Sequence, residues 1–142
     1  MDNYSIQDLS VGMLVARSYL FSEERVRAFA NLVDDMAPVH TDAAFASLQG
    51  FEGKIVHGLF VQSPISGMLG NEIPGANSVI NSLNMKMHRP VLVGQTVEYR
   101  VEIVALTHAV MAVTLSFSGV VEGEVVISGK ALCSFPKSGR SE

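Results

Sequence analysis

The second half of the chain alternates between apolar and polar residues, and this pattern limits the possible folds more than any other feature. The alternating apolar positions are Leu83, Met85 and Met87, then Val97, Tyr99, Val101 and Ile103, then Met111, Val113, Leu115 and Phe117, and then Val125, Ile127, Gly129 and Ala131. A period of two places successive side chains on opposite faces of a strand. The pattern therefore predicts four strands, and the pair Glu122-Gly123 is typical of a hairpin turn between the last two.

The first half of the chain predicts one early strand followed by helices. Residues 12–21 are predicted as the strand, Ser22 as the N-cap of a helix that ends near Val33, and residues 41–48 as a short helix. Residues 55–73 are apolar on nearly all sides and long enough for a buried helix, which Pro64 should kink. Together with four antiparallel strands, these elements predict an α+β fold in which a sheet wraps one long helix. No linker or repeat divides residues 1–142, so we expect a single domain.

Composition excludes several classes of protein. The net charge is −4 and the basic residues are scattered, which argues against nucleic acid as a partner. The apolar runs are too short for a membrane span, and the acidic, polar N-terminus argues against a signal peptide. Cys133 is the only cysteine and lies in an apolar run, so we expect it to be buried and inert in a reducing cytoplasm. Charged residues make up only 17% of the chain, which favours burial of surface in a homo-oligomer.

Residues 34–42 (DDMAPVHTD) concentrate three carboxylates and a histidine directly after the first predicted helix. Asp35 and His40 are five positions apart, so they cannot share a helix face, and Pro38 makes a continuing helix unfavourable. The segment is therefore predicted to be a loop, and a loop can fold back to join a carboxylate and an imidazole. From these residues alone, an acid–base pair and a polar turn capped by aspartates are both open interpretations.

Several motifs in a fixed order resemble those of the MaoC-like dehydratases, and among them the (R)-specific enoyl-CoA hydratases. Residues 35–40 (DMAPVH) resemble that family's frame D-x-N-P-[apolar]-H, except that Ala37 stands where the family usually has Asn. Residues 55–58 (IVHG), the pair Ser66-Gly67 and residues 87–94 (MHRPVLVG) resemble its later motifs. The resemblance extends from about residue 10 to residue 135 and implies the hot-dog fold.

The resemblance also implies a reaction and its residues. Asp35 and His40 would bind one water and add it to the double bond of a trans-2-enoyl thioester by acid–base catalysis. The N–H of Gly58 would stabilise the thioester oxygen at a helix N-terminus, and Ser66 would support the loop or line the acyl tunnel. The substrate would be carried on coenzyme A or acyl carrier protein, and the protein would be a homodimer. Proton transfer alone requires no cofactor and no metal.

Two other functions remain open at this point. A hot-dog thioesterase uses a carboxylate on or near the long helix, but residues 58–68 contain no Asp or Glu. A non-catalytic acyl-thioester binding module is supported only by Ala37. We interpret His57 as a packing and hydrogen-bonding residue, and His88 and His108 as strand-surface and turn residues. The four histidines show no close ligand spacing, so the sequence predicts no zinc site.

Overall fold

The computed structural model describes residues 3–137, which form five strands, four α-helices and two short 3₁₀ turns. The strands are β1 (Leu14–Leu20), β2 (Val79–Met87), β3 (Thr96–Thr107), β4 (Ala112–Val121) and β5 (Glu124–Ser134). The helices are α1 (Glu23–Val33), α2 (Pro38–Thr41), α3 (Ala43–Leu48) and α4 (Gly58–Asn71). All the predicted strands and helices are present, with ends shifted by a few residues.

The five strands form one antiparallel sheet in the order β1-β3-β4-β5-β2. Inward residues of β3 and β4 are buried at every second position, as the alternating pattern predicts. Glu122 and Gly123 both have positive φ, 50° and 82°, which is the backbone geometry of a tight hairpin turn. The predicted hairpin is therefore confirmed, and β1 and β2 are left as the two edges of the sheet.

Helix α4 packs against the concave face of the sheet. Its buried residues are Phe60, Val61, Ile65, Met68 and Leu69. The phenol of Tyr99 on β3 donates a buried hydrogen bond of 2.6 Å to the carbonyl oxygen of Val61, which attaches the helix to the centre of the sheet. The structure confirms the expected α+β hot-dog fold, and α4 continues through Pro64 as one element.

Although the α4 sequence is apolar on nearly all sides, the sheet of this protomer covers the helix on one side only. Leu59 is 61% exposed, and Ser63, Ser66 and Gly67 are exposed on the same side of α4. The buried residues of α4 lie on the other side of the helix, toward the sheet. We call the exposed side, defined by Leu59, Ser63, Ser66 and Gly67, the open face of α4.

Helix α1 begins and ends as its sequence predicts, and its end sets the direction of the next loop. The Ser22 hydroxyl accepts a hydrogen bond of 3.2 Å from the Arg25 N–H, which caps the first turn. Asp34 takes the left-handed conformation (φ 58°, ψ 34°), which stops the helix. Asp35 therefore leaves the helix at a sharp angle instead of continuing along its axis.

The loop prediction for residues 34–42 is only partly correct, since Pro38–Thr41 form one helical turn, α2. Pro38 occupies the first helical position, where its missing N–H would have no partner in any case. Ala37 before it is extended (ψ 134°), as a residue before proline should be. Pro38 therefore starts a new helical turn after α1 has already ended at Asp34.

Among residues 3–137, no helix is both long enough and apolar enough to span a membrane.

Candidate active site

The His40 ring is fixed by the segment that precedes α4. Its Nδ1 lies 2.7 Å from the carbonyl oxygen of Ile55, and the Ile55 N–H donates to the Val39 carbonyl at 3.1 Å. A carbonyl oxygen can only accept, so Nδ1 carries the hydrogen and Nε2 presents its lone pair. His40 is therefore held as a tautomer whose Nε2 can accept a proton.

Asp35 is held by the backbone on each side of it. Its N–H donates to the Ala30 carbonyl at 2.9 Å, which continues the end of α1. Its Oδ1 accepts a hydrogen bond of 3.2 Å from the Ala37 N–H, a local turn typical of aspartate. The other carboxylate oxygen makes no hydrogen bond within the described part of the chain, so it can accept one from a bound molecule.

His57 lies between these two residues. Its Nε2 is 3.0 Å from the carbonyl oxygen of Asp35, and its ring stacks on His40 with 3.8 Å between centroids and 25° between planes. The Phe29 ring of α1 packs against the His57 ring in a tilted arrangement, with 5.1 Å between the ring centroids. The side chain is buried, as its interpretation as a packing and hydrogen-bonding residue predicts.

The structure brings Asp35, His40 and His57 into one cluster. Each offers one nitrogen or oxygen atom, and these atoms all lie within 4.8 Å of one another. The folded loop therefore joins the carboxylate and the imidazole, as expected for Asp35 and His40. Sequence spacing did not reveal His57, which is 17 positions beyond His40.

The wide spacing of the histidines in the sequence predicts no zinc site, but the fold brings two of them together with a carboxylate. A carboxylate and two imidazoles at these distances are a donor set that suits zinc, although their positions in the sequence are not typical of a zinc site. Two of the four ring nitrogens are already used, His40 Nδ1 by Ile55 and His57 Nε2 by Asp35. The absence of a metal requirement stays a prediction.

Gly58 begins α4 directly after His57, so its N–H is one of the donors that a helix leaves unpaired at its N-terminus. A Cβ placed on Gly58 would meet Met87 Cγ at 3.8 Å, an ordinary van der Waals distance. The protein itself therefore leaves room for a side chain here, and the glycine keeps this N–H open to close approach from outside.

Ser66 is not brought to the Asp35–His40 loop. It lies on the open face of α4, eight residues beyond Gly58, or about 12 Å along the helix axis. Its hydroxyl makes no hydrogen bond to any residue in the range 3–137. No hydrogen bond among residues 3–137 of this protomer therefore supports the predicted role of Ser66 in holding the loop.

A cavity of about 330 Å³ reaches His40 from the side of α1. Its lining residues are Glu23, Val26, Arg27, Ala30, Asn31, Met36, His40 and Thr41. Glu23 in this lining is paired with both Lys54 and Arg27. The hydrogen bond from Lys54 lowers the pKa of the Glu23 carboxyl, so this edge of the cavity keeps its ion pairs at neutral pH.

The remaining chemically active side chains lie outside the cluster. His88 Nε2 is 2.6 Å from the Ser128 hydroxyl on the sheet surface, and His108 lies in an exposed 3₁₀ turn. Cys133 is fully buried in β5, and burial raises the pKa of its thiol to about 11. The structure confirms that Cys133 is buried, and its inertness stays a prediction.

Comparison with known proteins places the chain in a family. Residues 9–122 match the model of the MaoC-like domain. The chain is 36% identical to an (R)-specific enoyl-CoA hydratase of Aeromonas caviae, over 93% of this chain and 99% of that protein. It is 34% identical to a 3-hydroxybutyryl-CoA dehydratase of Methylorubrum extorquens, over 92% of this chain and 83% of that protein.

Solved structures agree with these relatives. An (R)-hydratase from A. caviae involved in PHA biosynthesis superposes with a TM-score of 0.87 at 36% identity, covering 92% of this chain and 99% of that one. An unliganded R-hydratase from Pseudomonas aeruginosa gives the same TM-score at 24% identity, covering 97% of this chain and 92% of that one, which supports the fold. A carboxylate and two imidazoles gathered just before the central helix of a hot-dog fold form the candidate site. The chain belongs to the MaoC-like domain family.

Proposed function

We propose that this protein is a hydro-lyase that adds water to trans-2-enoyl-CoA and releases (R)-3-hydroxyacyl-CoA, and that it also catalyses the reverse dehydration. The observation that carries the proposal is the grouping of the Asp35 carboxylate and the His40 ring with His57, the residue directly before the first residue of α4. The two relatives above are named for the hydration and for the corresponding dehydration. Both names and the geometry support the same reaction.

Asp35 and His40 carry the proton transfers. One carboxylate oxygen of Asp35 and Nε2 of His40 are both acceptors, so together they bind the two hydrogens of one water molecule. The water oxygen bonds to C3 as one of its protons passes to the pair, and a proton is delivered to C2 on the same face. One water is added, no electrons leave the substrate, and the pair returns to its starting protonation.

Gly58 stabilises the oxygen that becomes negative. Attack at C3 moves the double-bond electrons toward the thioester oxygen, giving it enolate character. The Gly58 N–H at the start of α4 donates to that oxygen, and the helix dipole adds positive potential at the same point. This donor is fixed before the substrate binds, so little reorganisation is needed in the transition state.

The proposal includes a homodimer, with the two sheets side by side and the acyl tunnels near the interface. The sheet has two free edges, and edge strands are usually paired or covered. Ile80 on edge strand β2 pairs with the fully buried Cys133 and so faces the helix side, yet it remains 37% exposed. A partner across β2 would cover it.

The same assembly gives Ser66 a role. An exposed hydroxyl among Leu59, Ser63 and Gly67 suits the wall of an acyl tunnel that a second copy completes. Of the two roles predicted for Ser66, lining the tunnel is therefore the one we propose.

Loss of the enoyl-thioester absorbance tests the reaction. We expect turnover with crotonyl-CoA or longer trans-2-enoyl substrates, presented on coenzyme A and on acyl carrier protein, and a product of R configuration. A thiol reagent added in parallel separates hydration from thioester hydrolysis, which alone releases free thiol. Absence of absorbance loss with every substrate, in folded protein, would reject the proposal.

Activity should survive exhaustive chelation, because the proposed steps are proton transfers. Protein treated with a chelator and then dialysed should keep its turnover number. Loss of turnover that only added zinc restores would mean that the Asp35, His40 and His57 cluster is a metal site.

A further inference from the structure

His57 contacts both residues of the proposed acid–base pair. It donates from Nε2 to the backbone carbonyl of Asp35 at 3.0 Å, and its ring covers one face of His40 at 3.8 Å between centroids. It is also bonded covalently to Gly58, the residue whose N–H is the proposed oxyanion donor. One side chain therefore connects the catalytic loop to the start of α4.

The hydrogen-bonding state of His57 is determined by its neighbours. The carbonyl of Asp35 requires a hydrogen on Nε2, which leaves a lone pair on Nδ1. His57 is only 3% exposed, and its Nδ1 is the one buried side-chain nitrogen or oxygen among residues 3–137 that has no hydrogen-bond partner. The ring therefore uses one nitrogen as a donor and leaves the other buried without a partner.

The unpaired Nδ1 argues against a role in packing alone. Burying a polar atom without a partner costs stability, and an apolar ring of similar size would avoid that cost. Phe29 and Phe60 stack beside this position, so the surroundings would accept a phenyl ring. What a phenyl ring could not supply is the N–H to Asp35.

We propose that His57 is a positioning residue, which uses its Nε2–H to hold the Asp35 backbone and its ring face to fix the orientation of the His40 ring. This inference rests on the proposed hydration. Asp35 follows a left-handed residue and lies between α1 and α2, so its carbonyl is not part of either helix and the His57 N–H is its partner. An error of about 1 Å in such a group can cost about 10²-fold in rate.

Two substitutions of His57 separate its hydrogen bond to Asp35 from its ring stacking on His40. His57→Phe keeps an aromatic face for His40 and removes the donor, whereas His57→Gln places an amide N–H near the position of Nε2 and removes the ring. We expect His57→Phe to lower kcat by about 10–10²-fold with KM changed less than about threefold, because the groups move while the binding surface stays. Its melting temperature should change little, since loss of the hydrogen bond to Asp35 is offset by removal of the buried unpaired nitrogen.

His57→Gln should recover part of the loss in kcat, because it restores the hydrogen bond to Asp35. His88→Gln is the matched control, since His88 bonds only the Ser128 hydroxyl on the surface, and its kcat should equal that of the wild type. Equal kcat in His57→Phe and the wild type would overturn the inference, as would a glutamine variant no better than phenylalanine.

Failure of the inference can be distinguished from failure of the proposed function. If the wild type hydrates no enoyl thioester, the function is wrong; if the wild type is active and His57→Phe is equally active, only the role of His57 is wrong. If His57→Phe does not fold, the test uses His57→Gln. The stacked His57 ring shifts the NMR signals of the His40 imidazole protons, and this ring-current shift is measured in the wild type and in the variant. Loss of that shift together with a reduced kcat supports the inference, and an unchanged kcat overturns it.

Discussion

Asp35 and His40 are the two residues whose replacement tests the proposed chemistry most directly. General acid–base groups typically contribute about 10²–10⁴-fold each, so Asp35→Asn and His40→Ala should each lower kcat by that order with the fold retained. Because both groups bind one water, the double variant should lose far less than the product of the single effects. Steady-state hydration kinetics on all three variants provide the measurement.

The neighbouring aspartates supply matched controls. Asp34 is in the left-handed conformation, which asparagine also adopts readily, and the Asp42 side chain caps α3 through the N–H groups of Ala44 and Phe45. Asp34→Asn and Asp42→Asn should therefore keep both structure and turnover. A large loss of kcat in Asp34→Asn with none in Asp35→Asn would mean that the catalytic carboxylate is Asp34 and not Asp35.

The sequence predicts the acid–base pair at the residue scale but not the residue that joins it. Asp35 and His40 share one recognisable motif, so their proximity follows from a single short segment. His57 reaches them from a different motif, and its bond to the Asp35 carbonyl depends on how α4 docks against the end of α1. No local pattern encodes such a contact, although its position before Gly58 in a shared motif is the signal that could have drawn attention to it.

The start of α4 gives a test at the scale of the element. Gly58→Ala should fold normally, because the added Cβ would meet only Met87 Cγ at 3.8 Å. It should nevertheless lower kcat/KM by about 10–10²-fold, since the methyl group keeps the thioester oxygen away from the N–H. Gly53→Ala, where a Cβ would have no atom within 4 Å, is the control and should match the wild type. Wild-type kinetics in Gly58→Ala would exclude close approach at this position.

Replacing glycine with alanine should lower the free energy of unfolding at Gly129 in a strand and raise it at Gly70 in a helix. A Cβ on Gly129 of β5 would lie 2.0 Å from the Asn84 carbonyl oxygen of β2, so Gly129→Ala must separate two backbones and should cost about 3 kcal/mol or more. Gly70→Ala in α4 meets no atom within 4 Å and should stabilise by about 0.5–1 kcal/mol. Urea unfolding measures both, and equal stability of the two variants would contradict the packing of β2 on β5.

Element identity follows from the sequence more closely than element exposure does. The period of two in β3 and β4 and the cap at Ser22 are local signals, and the structure agrees with them. The uniform apolarity of α4 indicates a covered helix but not what covers it, and the sheet covers only one side. The apolar or small residues of the open face are those that the proposed second copy would cover.

The assembly is the prediction that belongs to the whole molecule. Light scattering at micromolar concentration should give a mass near twice the 15.3 kDa of one chain, because an uncovered sheet edge and open helix face favour a partner. Ile80→Lys on β2 should shift the protein toward monomer and lower activity together. Val104→Lys, on the outer face of β3, which is not an edge strand, is the control and should remain a dimer. A fully active monomer would contradict the shared tunnel.

The phenol of Tyr99 gives the molecule a built-in optical reporter. The chain contains three tyrosines and no tryptophan, so tyrosine dominates its near-ultraviolet signal. Burial raises the pKa of Tyr99 far above the value of about 10 in an unfolded chain, and its hydroxyl remains bonded to Val61. Stability from this group is therefore complete below pH 10 and declines as the solution becomes more alkaline. In an alkaline titration, the phenolate absorbance that Tyr99→Phe removes should appear only as circular dichroism is lost, and its appearance in folded protein would mean that helix and sheet separate before the chain unfolds.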